Sequence, residues 1–159
     1  MKGIIAIVGP SRPDKETEDR AFRAGKLVAE AGFILATGGL GGAMYHASRG
    51  AKSAGGTVIG VLPGRYPDRA NPYVDIVLAT GLGHIRNIIL VNISCGVIAV
   101  GMSPGTLTEI AWALREGVPI IGFMPAHPGL EMNFTEDTET LREFLKEIAE
   151  TLNRPEAIV

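Results

Sequence analysis

The sequence predicts a single α/β domain, in which a Rossmann-like, doubly wound and mainly parallel sheet is flanked by helices. Two features of the pattern support this class. Short apolar runs rich in β-branched residues alternate with helical patterns along the chain, which is typical of parallel strands joined by helical crossovers. Glycines, 21 in all, gather where the apolar runs end, as expected for tight connections between strand and helix.

Length and composition are those of an ordinary globular protein. The 159 residues match one domain, and 46% hydrophobic with 20% charged residues is typical of a folded chain. A net charge of −2 argues against a nucleic-acid partner, and no apolar run reaches the roughly 18 residues of a membrane span. The single cysteine excludes an internal disulfide and suits a reducing compartment. We expect a cytoplasmic protein without a signal peptide.

Strands and helices follow from the apolar periodicity and from the residues that end each run. The predicted strands are residues 3–8, 33–36, 57–62, 75–79, 96–100 and 118–123. The predicted helices are residues 14–31, 43–54, 84–94 and 106–116, followed by a C-terminal amphipathic helix marked by Leu141, Phe144, Leu145, Ile148 and Leu152. No linker or repeat divides residues 1–159, so one nucleotide- or phosphate-binding domain is expected.

The glycine loop between the second strand and the second helix is the leading candidate for a binding site. Four glycines in five residues, with a methionine two positions later, separate these elements: Gly38, Gly39, Gly41, Gly42 and Met44. Glycine adopts positive φ at low cost and has no Cβ, so that backbone N–H groups can approach a ligand closely. Because the loop leads into a helix N-terminus, we expect it to hold a phosphate.

Two familiar phosphate-binding motifs do not match this loop. A Walker A motif needs a Gly-Lys-Ser/Thr run, and the nearest such string, residues 50–53, lies inside the predicted second helix. The dinucleotide fingerprint requires a third glycine where Met44 stands, and no acidic residue follows the next strand to bind a ribose. A nicotinamide dinucleotide is therefore not the expected ligand.

A second loop, after the fifth predicted strand, also leads into a helix. Gly105 and Thr106 are expected to add donors for the same phosphate, because the carboxyl ends of parallel strands share one edge of the sheet. Glu109 has two interpretations: a ligand contact, or a capping box with Thr106. Residues 101–105 also match the G-x-S-x-G elbow of serine hydrolases. Pro104 argues against a hydrolase, because it has no N–H for an oxyanion hole.

Further polar residues at the same edge complete the candidate site. Arg86 falls in the first turn of its helix, where a cation opposes the helix dipole, and an anionic ligand would explain that position. The alternative is an arginine that extends into solvent. Asn87 can bond the ligand or its own helix end. Gly9, Ser11 and Arg12 follow the first strand, where they are expected to add a donor and a charge.

The remaining reactive residues form no catalytic or metal pattern. His46, His84 and His127 lie on separate elements without the paired spacing of a metal site, so no metal is expected. Cys95 follows an isoleucine-rich helix and is expected to pack rather than to act as a nucleophile. Residues 66–73 are a candidate lid or oligomer contact, and the sequence leaves both alternatives open.

Two long segments resemble the Lonely Guy (LOG) superfamily, whose members often carry the label "possible lysine decarboxylase". They are residues 37–64, which keep the G-G-x-x-G-x-M loop of that superfamily, and residues 84–122. The chain is more similar to a bacterial Rossmann-like branch that includes molybdenum-cofactor carrier proteins. That branch shows an Arg-Asn pair, here Arg86 and Asn87, and a G-M-x-x-G-T-x-x-E loop, here residues 101–109.

The resemblance implies two functions. LOG enzymes cleave the N-glycosidic bond of cytokinin riboside 5′-monophosphates, and the likeness would make Arg86 and Glu109 their catalytic residues. Two departures favour the carrier branch: Asn87 replaces a lysine, and Gly-Met-Ser at 101–103 replaces Pro-Gly-Gly. The decarboxylase label implies pyridoxal phosphate on a lysine, and no feature of this sequence supports such a site.

The favoured hypothesis is a binding or carrier protein for a small phosphate-bearing ligand, nucleotide-like or pterin-like, with no required cofactor. The ligand would be a nucleotide monophosphate or a molybdopterin-type molecule. A nucleoside 5′-monophosphate phosphoribohydrolase is the alternative, and a ligand-free interaction module is the remote third. The apolar content of helices 84–94 and 106–116, together with the resemblance, predicts a homo-oligomer, either a dimer or a tetramer.

Overall fold

The computed structural model describes residues 3–154 and confirms the predicted fold class. Within these residues seven strands form one sheet, and five α-helices cover its two faces. The strands are β1 (Ile4–Val8), β2 (Ile34–Thr37), β3 (Val58–Leu62), β4 (Ile76–Ala79), β5 (Gly96–Ala99), β6 (Ile120–Phe123) and β7 (Asn133–Thr135). The helices are α1 (Lys15–Glu30), α2 (Ala43–Ser53), α3 (Arg86–Asn92), α4 (Pro104–Glu116) and α5 (Thr138–Leu152).

The sheet is doubly wound, with strand order β4-β3-β2-β1-β5-β6-β7 and every described pairing parallel. The order reverses between β1 and β5, where Ile5 pairs with Gly96 and Val8 with Ala99. All strands therefore end at the same edge of the sheet, and ligands of open α/β folds bind at that edge near the reversal.

The two faces of the sheet bury alternate residues of each strand, as the two-residue period of a strand requires. On β1, Ile5 and Ile7 pack among α1, α2 and α5, whereas Ala6 and Val8 pack among α3 and α4. The strands read as continuous apolar runs because both faces are covered by helices.

Helices α1 and α2 cross at very close range, which fixes the direction of α2. A Cβ on Gly25 would overlap the carbonyl oxygen of Ala47, and a Cβ on Gly50 would overlap that of Phe22. Small residues at these crossings let the two backbones touch. The N-terminus of α2, which follows the glycine loop, is thereby held in a defined position at the carboxyl edge of the sheet.

Three elements of the structure differ from the prediction. Strand β7 was not predicted, because three residues carry too little pattern to stand out. The helix predicted at 84–94 is a 3₁₀ turn over Gly83–Ile85 followed by α3, and the helix predicted from Thr106 begins two residues earlier, at Pro104. Among the described residues, no helix has both the length and the apolar character needed to cross a membrane.

Candidate ligand-binding site

The glycine loop, residues 38–42, joins β2 to α2 in a conformation that requires glycine at two positions. Gly39 has φ 74° and Gly42 has φ 67°, in the left-handed region that side chains rarely adopt. A Cβ on Gly42 would overlap the backbone of Ser11, and a Cβ on Gly39 would come within 3.0 Å of the Gly60 Cα. The loop is therefore pressed between the β1–α1 connection and β3.

The N-terminus of α2 offers backbone donors that the protein does not use. Its N-cap, Gly42, has no side chain to accept a bond, and Ala43 N donates to Pro10 O over 3.0 Å. Within residues 3–154 no acceptor pairs with the N–H groups of Gly41, Met44 or Tyr45. Free N–H groups at the positive end of a helix dipole are suited to an anion.

Arg86, the first residue of α3, lies against this loop with only 8% of its surface exposed. Its Nη1 donates to Val61 O over 2.7 Å, and a Cβ on Gly38 would overlap the same nitrogen. The Nε atom is buried and has no hydrogen-bond partner among the described residues. Burial lowers the pKa of Arg86, and the charge of Glu109 acts in the opposite direction. The alternative of an arginine extended into solvent is wrong.

Asn87, the next residue of α3, is also buried with unused bonding capacity. Its Nδ2 lies 3.4 Å from the Oγ1 of Thr108, and 4.0 Å from the position a Cβ on Gly105 would take. Its Oδ1 is buried and unpaired within the described part of the chain. Asn87 thus connects the α3 side of the site to the first turn of α4, with one acceptor still available.

Glu109 lies in the second turn of α4 and is 7% exposed. The capping-box interpretation is wrong, because Ser103 is the N-cap: its Oγ accepts from Thr106 N over 3.2 Å. Burial raises the pKa of the Glu109 carboxyl to about 7, and the positive charge of Arg86 lowers it in part. In the described structure the two side chains interact at a distance and form no direct ion pair. Glu109 is thus a carboxyl group that titrates near neutral pH.

The second predicted loop is less open than the glycine loop. The Thr106 hydroxyl lies 2.8 Å from the Ser103 Oγ and the residue is fully buried, so its side chain is engaged inside the helix start. Gly105 is exposed, and a Cβ there would meet only ordinary contacts. The Ser103 hydroxyl caps α4, which is a structural role rather than that of a nucleophile.

The residues predicted after β1 divide between two places. Gly9 is needed for packing, since a Cβ there would lie 2.8 Å from both the Ala43 Cβ and the Val100 Cγ2. The backbone of Ser11 lies against Gly42, and Ser11 itself is exposed to solvent. Arg12 is exposed and lines a separate recess of about 410 Å³ beside Arg20, at the β1–β5 reversal. The structure thus brings Gly38, Met44 and Arg86 into one cluster and leaves Arg12 outside it.

Asn71 is a residue of this site that the sequence patterns did not identify. Its backbone N–H donates to Gly39 O over 2.8 Å, and its Nδ2 donates to Leu40 O over 3.0 Å. These bonds fasten the β3–β4 connection to the glycine loop. The Asn71-Pro72 pair is a turn signal, but nothing in it indicates a partner some 30 residues earlier.

No constellation for a directly bound metal is present in the described residues, where no three His, Cys, Asp or Glu side chains come together. Cys95 is half-buried, its Sγ lies 3.0 Å from Ile4 O, and burial raises the pKa of its thiol. A thiol with a raised pKa is a weak nucleophile, as expected for a packing residue.

A family model described as the SLOG cluster4 family matches residues 2–155, nearly the whole chain. The chain belongs to the SLOG cluster4 family. This membership confirms the relationship to the Lonely Guy superfamily predicted from the glycine loop and the residue 101–109 motif. An uncharacterized protein of Archaeoglobus fulgidus is 46% identical to this SLOG cluster4 protein over 121 residues, which cover 76% of this chain and 80% of the relative.

Solved structures agree with the family and with its predicted branch. The molybdenum cofactor binding protein of the phototrophic bacterium Rippkaea orientalis is 36% identical, with TM-score 0.88 and coverage of 94% of this chain and 98% of that protein. The Moco carrier protein of Chlamydomonas reinhardtii is 37% identical, with TM-score 0.84 and coverage of 96% and 100%. DNA processing protein A of Helicobacter pylori is 16% identical, with TM-score 0.71 and coverage of 91% and 80%, a likeness of fold alone.

Proposed function

We propose that this protein binds and carries a small phosphate-bearing ligand, nucleotide-like or pterin-like, at the carboxyl edge of its sheet. The observation that carries the proposal is a pair of buried polar atoms that have no partner in the described residues: Arg86 Nε, on a side chain that lies against the glycine loop, and Asn87 Oδ1, on a side chain near the start of α4. A buried polar atom that forgoes its hydrogen bond costs roughly 1–3 kcal/mol. A ligand that forms hydrogen bonds with both atoms would offset that cost, and it would explain why the two atoms are buried without partners in the protein.

Each part of the site has a distinct task in this proposal. The free N–H groups at the start of α2 receive the phosphate, and the helix dipole favours its negative charge. Arg86 supplies the opposite charge, with its Nη1 anchored on Val61 O and its Nε side left for the ligand. Asn87 Oδ1 accepts from a hydroxyl of the ligand. These contacts orient the ligand without requiring any reaction.

The carrier proteins among the structural relatives make a molybdopterin-type cargo the leading candidate. The residues present fit the organic part of such a molecule, namely an anionic phosphate and a polar ring. They offer no set of ligands for its metal, since the described residues contain no His, Cys, Asp and Glu cluster. Recognition of the cargo would therefore come through phosphate and ring, and the metal would keep the ligands it brings.

Glu109 favours a second candidate, hydrolysis of a nucleoside 5′-monophosphate. A buried carboxyl with a pKa of about 7, beside a buried arginine, is poised for proton transfer at neutral pH. In that reaction the bond from C1′ to the base nitrogen breaks and a bond from water oxygen to C1′ forms. Glu109, as the carboxylate, would stabilise the oxocarbenium-like transition state and take a proton from the attacking water, and that proton would pass to the base nitrogen that leaves with the electron pair of the broken bond.

One set of assays separates the two candidates. The full chain is mixed with AMP, its melting temperature is recorded, and free adenine is followed chromatographically. Saturation at about 100 times the dissociation constant adds about 2.7 kcal/mol of stability, a shift of roughly 5–10 °C for this chain length. A carrier shows the shift without adenine release. An enzyme releases adenine, and Glu109→Gln abolishes the release.

Variants locate the ligand. Arg86→Ala is expected to weaken AMP binding roughly 10- to 100-fold, because a hydrogen bond to a charged group contributes about 1.5–3 kcal/mol. Arg115→Ala is the matched control: this arginine is exposed near the far end of α4, and its removal should leave the shift intact. An unchanged shift in Arg86→Ala contradicts the proposed site. If AMP, GMP and a co-purified ligand all fail to shift the melting temperature, and no base is released, the ligand-free interaction module becomes the favoured hypothesis.

A homo-oligomer remains part of this proposal. Leu107 and Leu114 of α4 are 44% and 40% exposed, and Ile85 just before α3 is 62% exposed, so this helical face carries apolar surface open to solvent. Such a face favours a second copy of the chain. Light scattering of the purified protein tests it, and a monomer across the micromolar range would reject it.

A further inference from the structure

A second recess lies directly beside the glycine loop and is distinct from the phosphate contacts. It has a volume of about 310 Å³, near the lower end of the range for small-molecule sites. Its lining is almost entirely carbon and comes from Leu40 of the glycine loop, the end of β3 and the connection that follows: Leu62, Pro63, Gly64, Tyr66 and Arg69. The recess therefore suits a flat apolar group rather than a charged one.

The walls of this recess are two loops that the fold holds together. Asn71 fastens the β3–β4 connection to the glycine loop through Gly39 O and Leu40 O, at 2.8 and 3.0 Å. Gly39 lets that loop lie on β3, because a Cβ there would be 2.7 Å from the Leu62 Cδ2. The recess is thus shaped before any ligand arrives, which lowers the entropic cost of binding.

Tyr66 is the side chain in this recess that calls for an explanation. It is 69% exposed, the largest exposed fraction of any large apolar side chain in the described residues. It immediately precedes a 3₁₀ turn that ends at Arg69, and both residues line the recess. Aromatic rings and arginine planes are the groups on which heterocyclic rings stack.

The position of Leu40 connects the two parts of the site. Leu40 belongs to the recess, while Gly41 next to it carries one of the unpaired N–H groups. On the β3 side, Arg86 is anchored on Val61 O, and the following residue, Leu62, lines the recess. A phosphate bound at the loop would therefore lie next to a ring bound in the recess.

We infer that the recess formed by Leu40, Leu62, Pro63, Gly64, Tyr66 and Arg69 is the subsite for the heterocyclic ring of the ligand, with Tyr66 as its stacking residue. The inference rests on the proposed function and narrows it. Such a site would bind molecules that join a phosphate to a purine- or pterin-sized ring more tightly than inorganic phosphate or sugar phosphates.

The test compares two probes that share a phosphate and differ in the ring, GMP and ribose 5-phosphate. Their dissociation constants are measured by calorimetry for the wild type, Tyr66→Ala, Tyr66→Phe and the control Leu152→Ala, an exposed apolar residue at the end of α5. Each titration is repeated in a Glu109→Gln background, where cleavage cannot consume the nucleotide. The Tyr66→Ala variant lacks the stacking contact, so we expect it to bind GMP roughly 5- to 100-fold more weakly than the wild type.

Ribose 5-phosphate should bind equally to all four proteins, and Tyr66→Phe should retain the preference for GMP. If GMP and ribose 5-phosphate both bind but Tyr66→Ala leaves their ratio unchanged, the ring subsite is rejected while the phosphate site stands. If neither probe binds the wild type, the proposed function fails with it. If Tyr66→Ala changes only the mass of the assembly in light scattering, the exposed tyrosine serves a second copy, and the inference is overturned.

Discussion

Two arginines are buried in this protein to nearly the same extent, and their surroundings differ in a way that separates structure from function. Arg20 on α1 is 6% exposed and Arg86 on α3 is 8% exposed. Arg20 is satisfied within the protein: Nη2 lies 2.9 Å from the Glu16 carboxylate, and Nη1 donates to Val100 O over 3.3 Å. Arg86 has one strong bond, to Val61 O, and an Nε without a partner in residues 3–154.

The carboxylates near the two arginines differ as well. Glu16, the partner of Arg20, has 68% of its side chain exposed, so water stabilises its charge and the ion pair adds little. Glu109, which acts on Arg86, is buried and has a pKa raised to about 7. Arg20 thus completes a local network that joins α1 to the end of β5. Arg86 and Glu109 form a costly buried arrangement, and such arrangements are typical of binding and catalytic sites.

The largest expected effect concerns the pH dependence of stability. The folded state raises the Glu109 pKa from 4.5 to about 7, so the native protein holds this proton more tightly than the unfolded chain. The contribution of this proton to the free energy of unfolding is complete below pH 4.5 and is lost as the pH rises through 7. Between pH 5 and 8 the free energy of unfolding should therefore fall by about 2.5 kcal/mol more in the wild type than in Glu109→Gln.

Urea denaturation of both proteins at several pH values measures this difference. The Glu109→Gln variant is the matched control, since it keeps the shape of the side chain and removes its titration. Parallel curves for the two proteins would show that Glu109 has an ordinary pKa in the folded state. In that case the contrast between the two arginines would rest on hydrogen bonding alone.

The next largest effect is expected for Arg20→Met, which keeps an unbranched chain of similar volume. The variant loses the bonds to Val100 O and to the Thr17 Oγ1, and leaves a buried carbonyl without that donor. We expect a loss of about 1–2 kcal/mol in the free energy of unfolding, with AMP affinity within about twofold of the wild type. Denaturation and calorimetry on the same preparation measure both. A large loss of affinity would assign Arg20 to the ligand.

The sequence predicted the fold, and it pointed to those parts of the candidate site that follow local rules. Alternating strands and helices predicted the doubly wound sheet, and the glycine density predicted a loop that needs positive φ, which the structure shows at Gly39 and Gly42. Arg86 stood out because a cation at a helix start opposes the dipole. Each of these signals lies within a few residues of the feature it predicts.

The rest of the site depends on contacts that no local pattern contains. Asn71 fastens the glycine loop from a distant connection, and the Glu109 pKa is raised by burial in the folded protein, on a helix that packs against α3. The helix start was misplaced for a different reason. Both Ser103 and Thr106 match a cap, but Pro104 favours the first helical position after Ser103, a signal that was present in the sequence.

The smallest and most discriminating effect is expected for Arg86→Met. The bond to Val61 O is lost, but so is the cost of a buried charge with an unpaired Nε, and such replacements are often neutral or stabilising. At pH 6, where most of Glu109 is protonated, the free energy of unfolding should stay within about 1 kcal/mol of the wild type. Urea denaturation of Arg86→Met, Arg20→Met and the wild type under the same conditions tests this prediction. If Arg86→Met is destabilised as much as Arg20→Met, the protein itself uses Arg86 as a structural residue, and no ligand is needed to explain why this arginine is buried.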